Sequence, residues 1–153
     1  IIERKKPGFK PKAGIILGSG LGPLVDDIED RIDIPYKDLP GFPVSTVAGH
    51  EGSLVLGELC GVPVVCLNGR VHYYEGLHAD KLTILIRMIK FLGCKFVLTT
   101  NAVGSLRREV AAGEISMITH HINFVQWNPM IGKNDDQFGP RFFAMTDVYP
   151  PAQ

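Results

Sequence analysis

The stretch DKLTILIRMIKFLGCKFVLT, residues 80–99, decides the fold. Leu82, Leu85, Ile86, Ile89 and Leu92 recur at helical spacing, Asp80 offers a first-turn acid or cap, and Gly93 stands where a helix would stop. Residues 95–99 then return as an apolar strand. Upstream, residues 54–59 and 62–67 flank Cys60-Gly61 and read as a hairpin, with Pro63 marking a strand end or edge. A strand, then a helix, then another strand is the pattern of a parallel crossover, so the chain is expected to be α/β. Working outward, residues 13–17 are short, apolar and followed by Gly18-Ser19-Gly20-Leu21-Gly22, a buried strand running into a tight loop, after which Pro23 starts a helical turn. Residues 35–50 are rich in Pro and Gly and read as an ordered loop over the body. A last strand is expected at 115–119, and beyond Phe124 the chain turns irregular.

The 153 residues are 45% hydrophobic, enough for one proper core, and the expectation is a single domain over 1–153. Lys plus Arg and Asp plus Glu both number 16, so no charge excess argues for nucleic acid. The cluster Arg4, Lys5, Lys6, Lys10 and Lys12 reads as a solvated, mobile amino-terminal segment. Cys60, Cys66 and Cys94 lack metal or redox spacing and are expected to be reduced. No apolar run approaches a membrane span and no secretory signal precedes the first strand. The expected setting is therefore cytoplasmic, with no membrane partner.

Chemistry concentrates in Gly69-Arg70-Val71-His72-Tyr73-Tyr74-Glu75-Gly76. If this stretch is extended, Arg70, His72 and Tyr74 project to one side, because side chains alternate along a strand. A phosphate dianion suits Arg70 and His72: the guanidinium gives bidentate charge-assisted hydrogen bonds and the imidazole adds another. Glu75 can orient one of them from behind; the plainer alternative is a surface Arg–Glu pair, worth little. The glycine loop at 18–22 lets backbone amides and Ser19 approach a phosphate. It is not the dinucleotide fingerprint, which needs Gly where Pro23 stands, nor a Walker loop, which needs Gly-Lys-Ser or Gly-Lys-Thr. A turn serving packing alone stays open for it. His50, between Gly49 and Glu51, is either a ligand donor or a capped loop histidine. His120 and His121 match no zinc pattern, so no metal site is expected. Asn101, at a strand's carboxyl end, can donate and accept, or can close an Asx turn.

Taken together, Leu17-Gly18-Ser19-Gly20-Leu21-Gly22, Gly49-His50-Glu51-Gly52, the 69–76 segment, Thr100-Asn101-Ala102 and Asp136-Gln137-Phe138-Gly139-Pro140-Arg141-Phe142 resemble the trimeric purine nucleoside phosphorylases, in the same order. The flavour is similar to the bacterial inosine, guanosine and xanthosine phosphorylases. The resemblance implies a twisted mixed β-sheet flanked by helices, a homotrimer, and reversible phosphorolysis of a purine nucleoside to free base and ribose 1-phosphate. It implies that Ser19, Arg70, His72 and the Ala102 amide bind phosphate and that Glu75 supports them. Arg70, His72 and Glu75 would form the catalytic group. Tyr74, His50 and Asn101 would lie on the nucleoside side, and Phe142 would reach a neighbouring subunit's ribose pocket. Phosphate would be a co-substrate, and no cofactor is implied. Two departures stand out. Family members usually carry Ala-Gly-Gly after the Asn, whereas Val103 follows Ala102 here. The resemblance also covers only the amino-terminal part of a family subunit, so the chain is expected to be truncated, without the segment that holds the purine. The alternative is a non-catalytic phosphate or nucleoside binding module, or an inactive fragment. A dinucleotide-binding domain would rest on the glycine loop alone.

Overall fold

Cys60 and Gly61 both have positive φ, 51° and 74°, the backbone twist that a two-residue hairpin turn requires. They join β3 (Ser53–Leu59) to β4 (Val62–Asn68) in an antiparallel ladder that runs from Ser53 opposite Asn68 to Leu59 opposite Val62. The computed structural model describes residues 1–45, 52–76, 78–125, 128–145 and 149. They fall into two units, 1–102 and 103–153.

The first unit is built on a mixed five-stranded sheet in the order β2-β3-β4-β1-β5. β2 (Glu29–Pro35) pairs antiparallel with β3; β1 (Ala13–Ile16) lies parallel between β4 and β5 (Phe96–Thr99). Both faces of the central strands are buried, because alternate side chains feed two cores. Leu54, Leu56, Val65 and Leu67 pack on one face with Ile34, Tyr36, Leu39, Leu85 and Ile89. Val55, Val64, Cys66, Ala13, Ile15 and Leu17 pack on the other with Val25 and Ile28. Each such large side chain removed from water contributes roughly 1.5–3 kcal/mol.

Helix α1 (Ile2–Lys5) opens the chain, and α2 (Thr83–Phe91) follows a 3-10 turn at Ala79–Leu82. In α2, Leu85 and Ile89 are buried, while Ile86, expected on the same stripe, is 48% exposed. The helix comes close to β1 because Gly14 has no side chain: a Cβ there would sit 2.6 Å from Ile89 Cγ2. Gly93, at φ 89°, ends the helix as expected and donates its N–H to the Lys90 carbonyl at 2.9 Å. The side chain of Asp80, expected as its cap, lies outside the described residues. No helix among the described residues is long and apolar enough to cross a membrane.

Three expectations change. Residues 29–35 form a strand that the sequence reading did not mark. The amino-terminal basic cluster is not simply solvated: α1 forms there, and Lys6 Nζ lies 2.6 Å from Asp30 Oδ2 and 5.1 Å from the Phe9 ring centroid. Residues 115–119 are not a strand. The unit 103–153 has no helix or strand among its described residues and is held by turns such as Asp135–Phe138. Ile115 and Met117 are exposed and no strand among the described residues pairs with them, and a β-strand exists only through a neighbour that takes its backbone hydrogen bonds. Pro63 fits its place: it is the second residue of β4, and β1 begins to pair only at Val64. The missing N–H therefore costs no ladder bond.

Burial pushes the Cys66 thiol up to about 12, the Arg31 charge opposing this only in part, while Cys60 sits exposed in the hairpin turn. A disulfide reagent at about pH 8 should label Cys60 at once and Cys66 only on unfolding; rapid labelling of Cys66 in the folded chain would contradict the packing. Because the unfolded thiol ionises near 9.0 and the folded one near 12, this site's stability is intact below 9.0 and lost as pH climbs through that window.

Candidate active site

β4, β1 and β5 run parallel, so their carboxyl ends deliver three loops to one edge of the sheet: 69–76, 17–22 and 100–102. This is where open α/β sheets gather ligands. The loops are stitched together by Thr100. Its hydroxyl accepts the Gly18 N–H at 2.9 Å and donates to the Ile16 carbonyl at 3.1 Å, and its own N–H bonds that same carbonyl at 3.0 Å. Gly18 must be glycine for this closeness, since a Cβ would meet the Thr100 carbonyl oxygen at 2.4 Å and Asn101 Cα at 2.7 Å.

Between the 17–22 and 69–76 loops lies a hollow of ≈ 500 Å³, lined by Ser19, Gly20, Asn68, Gly69, Arg70 and His72 among others, with Gly52 and Ser53 from the start of β3. No described lining residue is acidic. Arg70 is half-buried and donates from Nη1 to the Thr100 carbonyl at 3.4 Å. A guanidinium has five N–H donors, so this anchor leaves a fork for an anion.

The 69–76 segment is not extended throughout. Residues Tyr73–Glu75 form a 3-10 turn with His72 as its N-cap, so the alternation expected to carry Tyr74 beside Arg70 and His72 stops at His72. A local clasp is responsible: the Glu75 carboxylate accepts the His72 N–H at 2.8 Å while the Glu75 N–H donates to the His72 carbonyl at 3.0 Å. Glu75 therefore acts on His72 through the backbone, and it also accepts the Ser45 hydroxyl at 2.8 Å. Tyr74 is 77% exposed, yet its ring stacks on His72 at 4.9 Å between centroids and 12° between planes.

Ser19, Arg70 and His72 thus share one hollow. Asn101 and Ala102 follow β5 at the same sheet edge and are exposed. His50 lies outside the described residues. Phe142 is 88% exposed within the 103–153 unit. The sequence assigns no role to Thr100, quoted only as part of Thr100-Asn101-Ala102, or to Asn68; the position of Thr100 between an apolar strand and Asn101 is its local signal, and Asn68 has none.

The sequence profile of the phosphorylase superfamily matches residues 12–153. Purine nucleoside phosphorylase 1 of Bacillus subtilis is 50% identical over 139 residues, which cover 91% of this chain and 51% of that protein. The Anopheles gambiae purine nucleoside phosphorylase is 45% identical, over 99% of this chain and 43% of its own. Among solved structures, isoform 2 of purine nucleoside phosphorylase from Schistosoma mansoni, in complex with cytosine and ribose-1-phosphate, superposes with TM-score 0.89 at 42% identity, covering 98% of this chain and 53% of that one. The same organism's enzyme in complex with inosine gives TM-score 0.89 at 38% identity. The chain spans about half the length of the curated relatives it matches. With that profile spanning the glycine loop, the parallel strands and the hollow they frame, this chain belongs to the phosphorylase superfamily.

Proposed function

We propose that this chain supplies the phosphate and ribose side of a purine nucleoside phosphorylase, which converts a purine nucleoside and inorganic phosphate reversibly into free base and ribose 1-phosphate. One observation carries the reading: Ser19 and the Arg70–His72 pair, far apart in sequence, line a single hollow without a described acidic residue. The names of the relatives supply the nucleoside.

The chemistry follows from that placement. In this reading Arg70, the His72 ring, the Ser19 hydroxyl and the amide of Ala102 hold the dianion, and Tyr74 contacts the sugar, a role the family resemblance also gives to His50. As the bond from C1′ to the base nitrogen lengthens, positive charge grows on the ribose, and a phosphate fixed beside it both stabilises that charge and supplies the oxygen that forms the new bond to C1′. The base leaves with the electron pair of the broken bond and takes up a proton. No cofactor takes part in this scheme. The assembly is a homotrimer, with Phe142 of one subunit completing the ribose pocket of the next.

Coupled turnover of inosine with phosphate tests this. Base release that depends on phosphate is the expected result in a protein that also carries the purine-holding segment. Phosphate binding without base release in such a protein would instead favour a non-catalytic binding module. For the shared pocket, Phe142→Ala should raise the nucleoside KM about tenfold with little change for phosphate, and an active monomer in analytical ultracentrifugation would contradict the trimer.

A further inference from the structure

Tyr36 sits in the 3-10 turn that follows β2, is 2% exposed, and belongs to the core beneath α2. Its hydroxyl leaves that core to donate to the Gly69 carbonyl at 2.9 Å. The carbonyl belongs to the planar peptide that carries the Arg70 nitrogen. Gly69 has φ 96° and no side chain, so local sterics do little to set the orientation of this peptide. The phenol does so from outside the loop.

The path of the ring is itself built. Tyr36 N–H donates to the Gly52 carbonyl at 3.2 Å, and the ring crosses Gly52 so closely that a Cβ there would lie 2.5 Å from Tyr36 Cε2. Phe42 also packs on the ring, centroid to centroid 5.5 Å with the planes tilted by 49°.

We propose that Tyr36 is a positioning residue for the phosphate site: its hydroxyl fixes the Gly69–Arg70 peptide, and through it the approach of the Arg70 guanidinium to the hollow. This rests on reading the hollow as a phosphate site. Burial, with the nearby Cys66 thiol second, raises the phenol's pKa well above its ordinary value, so the hydroxyl keeps its proton and remains a donor throughout the working range.

The test is calorimetric titration of inorganic phosphate into the 153-residue chain, beside thermal melts, for wild type, Tyr36→Phe and Ile89→Val. Tyr36→Phe keeps the ring and loses only the hydroxyl; it should weaken phosphate binding about tenfold with a small change in Tm. Ile89→Val trims the same core on α2, away from the tyrosine ring; it should lower Tm while phosphate affinity stays within about twofold. Unchanged affinity in Tyr36→Phe, or affinity losses in both variants that track their losses of Tm, would overturn the positioning role. A wild-type chain that binds no phosphate would instead overturn the phosphate reading, and the positioning role with it.

Discussion

Arg70→Ala is expected to weaken inorganic phosphate binding about a hundredfold, since it removes paired charge-assisted hydrogen bonds, each worth roughly 1.5–3 kcal/mol. The fold should barely notice. Arg70 is half-buried in the lining of the hollow, and its bond to the Thr100 carbonyl is a long one, 3.4 Å. The Tm should therefore shift little while the titration flattens. Arg70→Lys separates charge from geometry: an ammonium keeps the charge but cannot form the planar fork, so only part of the loss should be recovered. Full recovery by lysine would mean that charge alone holds the anion, and unchanged binding in the alanine variant would remove Arg70 from the site.

Gly18→Ala should damage fold and site together. The added methyl would lie 2.4 Å from the Thr100 carbonyl oxygen and 2.7 Å from Asn101 Cα. Both are backbone atoms, and no side-chain rotation relieves the contact. Overpacking of this kind costs about 1–3 kcal/mol, and the relief available is to move β5 away from the glycine loop, breaking the 2.9 Å bond from Gly18 N–H to Thr100 Oγ1. The Arg70 anchor is the neighbouring Thr100 carbonyl, so phosphate affinity should fall by about tenfold as well. Gly20→Ala provides the contrast. A Cβ there meets nothing within 4 Å, but φ is 84°, so its cost is backbone strain of about 1 kcal/mol without the backbone collision. Equal melting temperatures for the two variants would contradict the close approach of β1 and β5.

How much of this was legible in the sequence depended on how local the encoding was. The hairpin turn at Cys60-Gly61 and the helix stop at Gly93 are written in single residues whose backbone preference decides the outcome, and both formed. β2 is hard to see in the sequence because the charged residues Glu29, Asp30, Arg31 and Asp33 dominate its first five positions. The bulge at Asp30, φ 46°, further breaks the alternation that Ile32 and Ile34 would otherwise display. The apolar run at 115–119 has the opposite history. Its composition suits a strand, but pairing is a property of two segments, and no neighbour takes it up among the described residues.

The site divides in the same way. Arg70, His72 and Ser19 could be picked out because anion chemistry favours those residue types. Their convergence follows from the order β4-β1-β5, which no local pattern contains; the resemblance to a family supplied it. Tyr36 gave no sign, as a tyrosine in a Pro and Gly rich loop reads as ordinary core. Its connection to the site needs Gly52 bare beneath the ring and Gly69 turned toward the hydroxyl, contacts that only the folded chain brings together.

The central claim is that one dianion is gripped at once by Ser19, Arg70 and His72. Anomalous diffraction from crystals of the chain soaked in tungstate, a heavy mimic of phosphate, measures this most directly. The account predicts a tungsten peak inside the hollow, with its oxygens within hydrogen-bonding reach of the Ser19 hydroxyl, the Arg70 guanidinium and the His72 ring. A peak held elsewhere, or an empty hollow flanked by side chains turned away from one another, would contradict it.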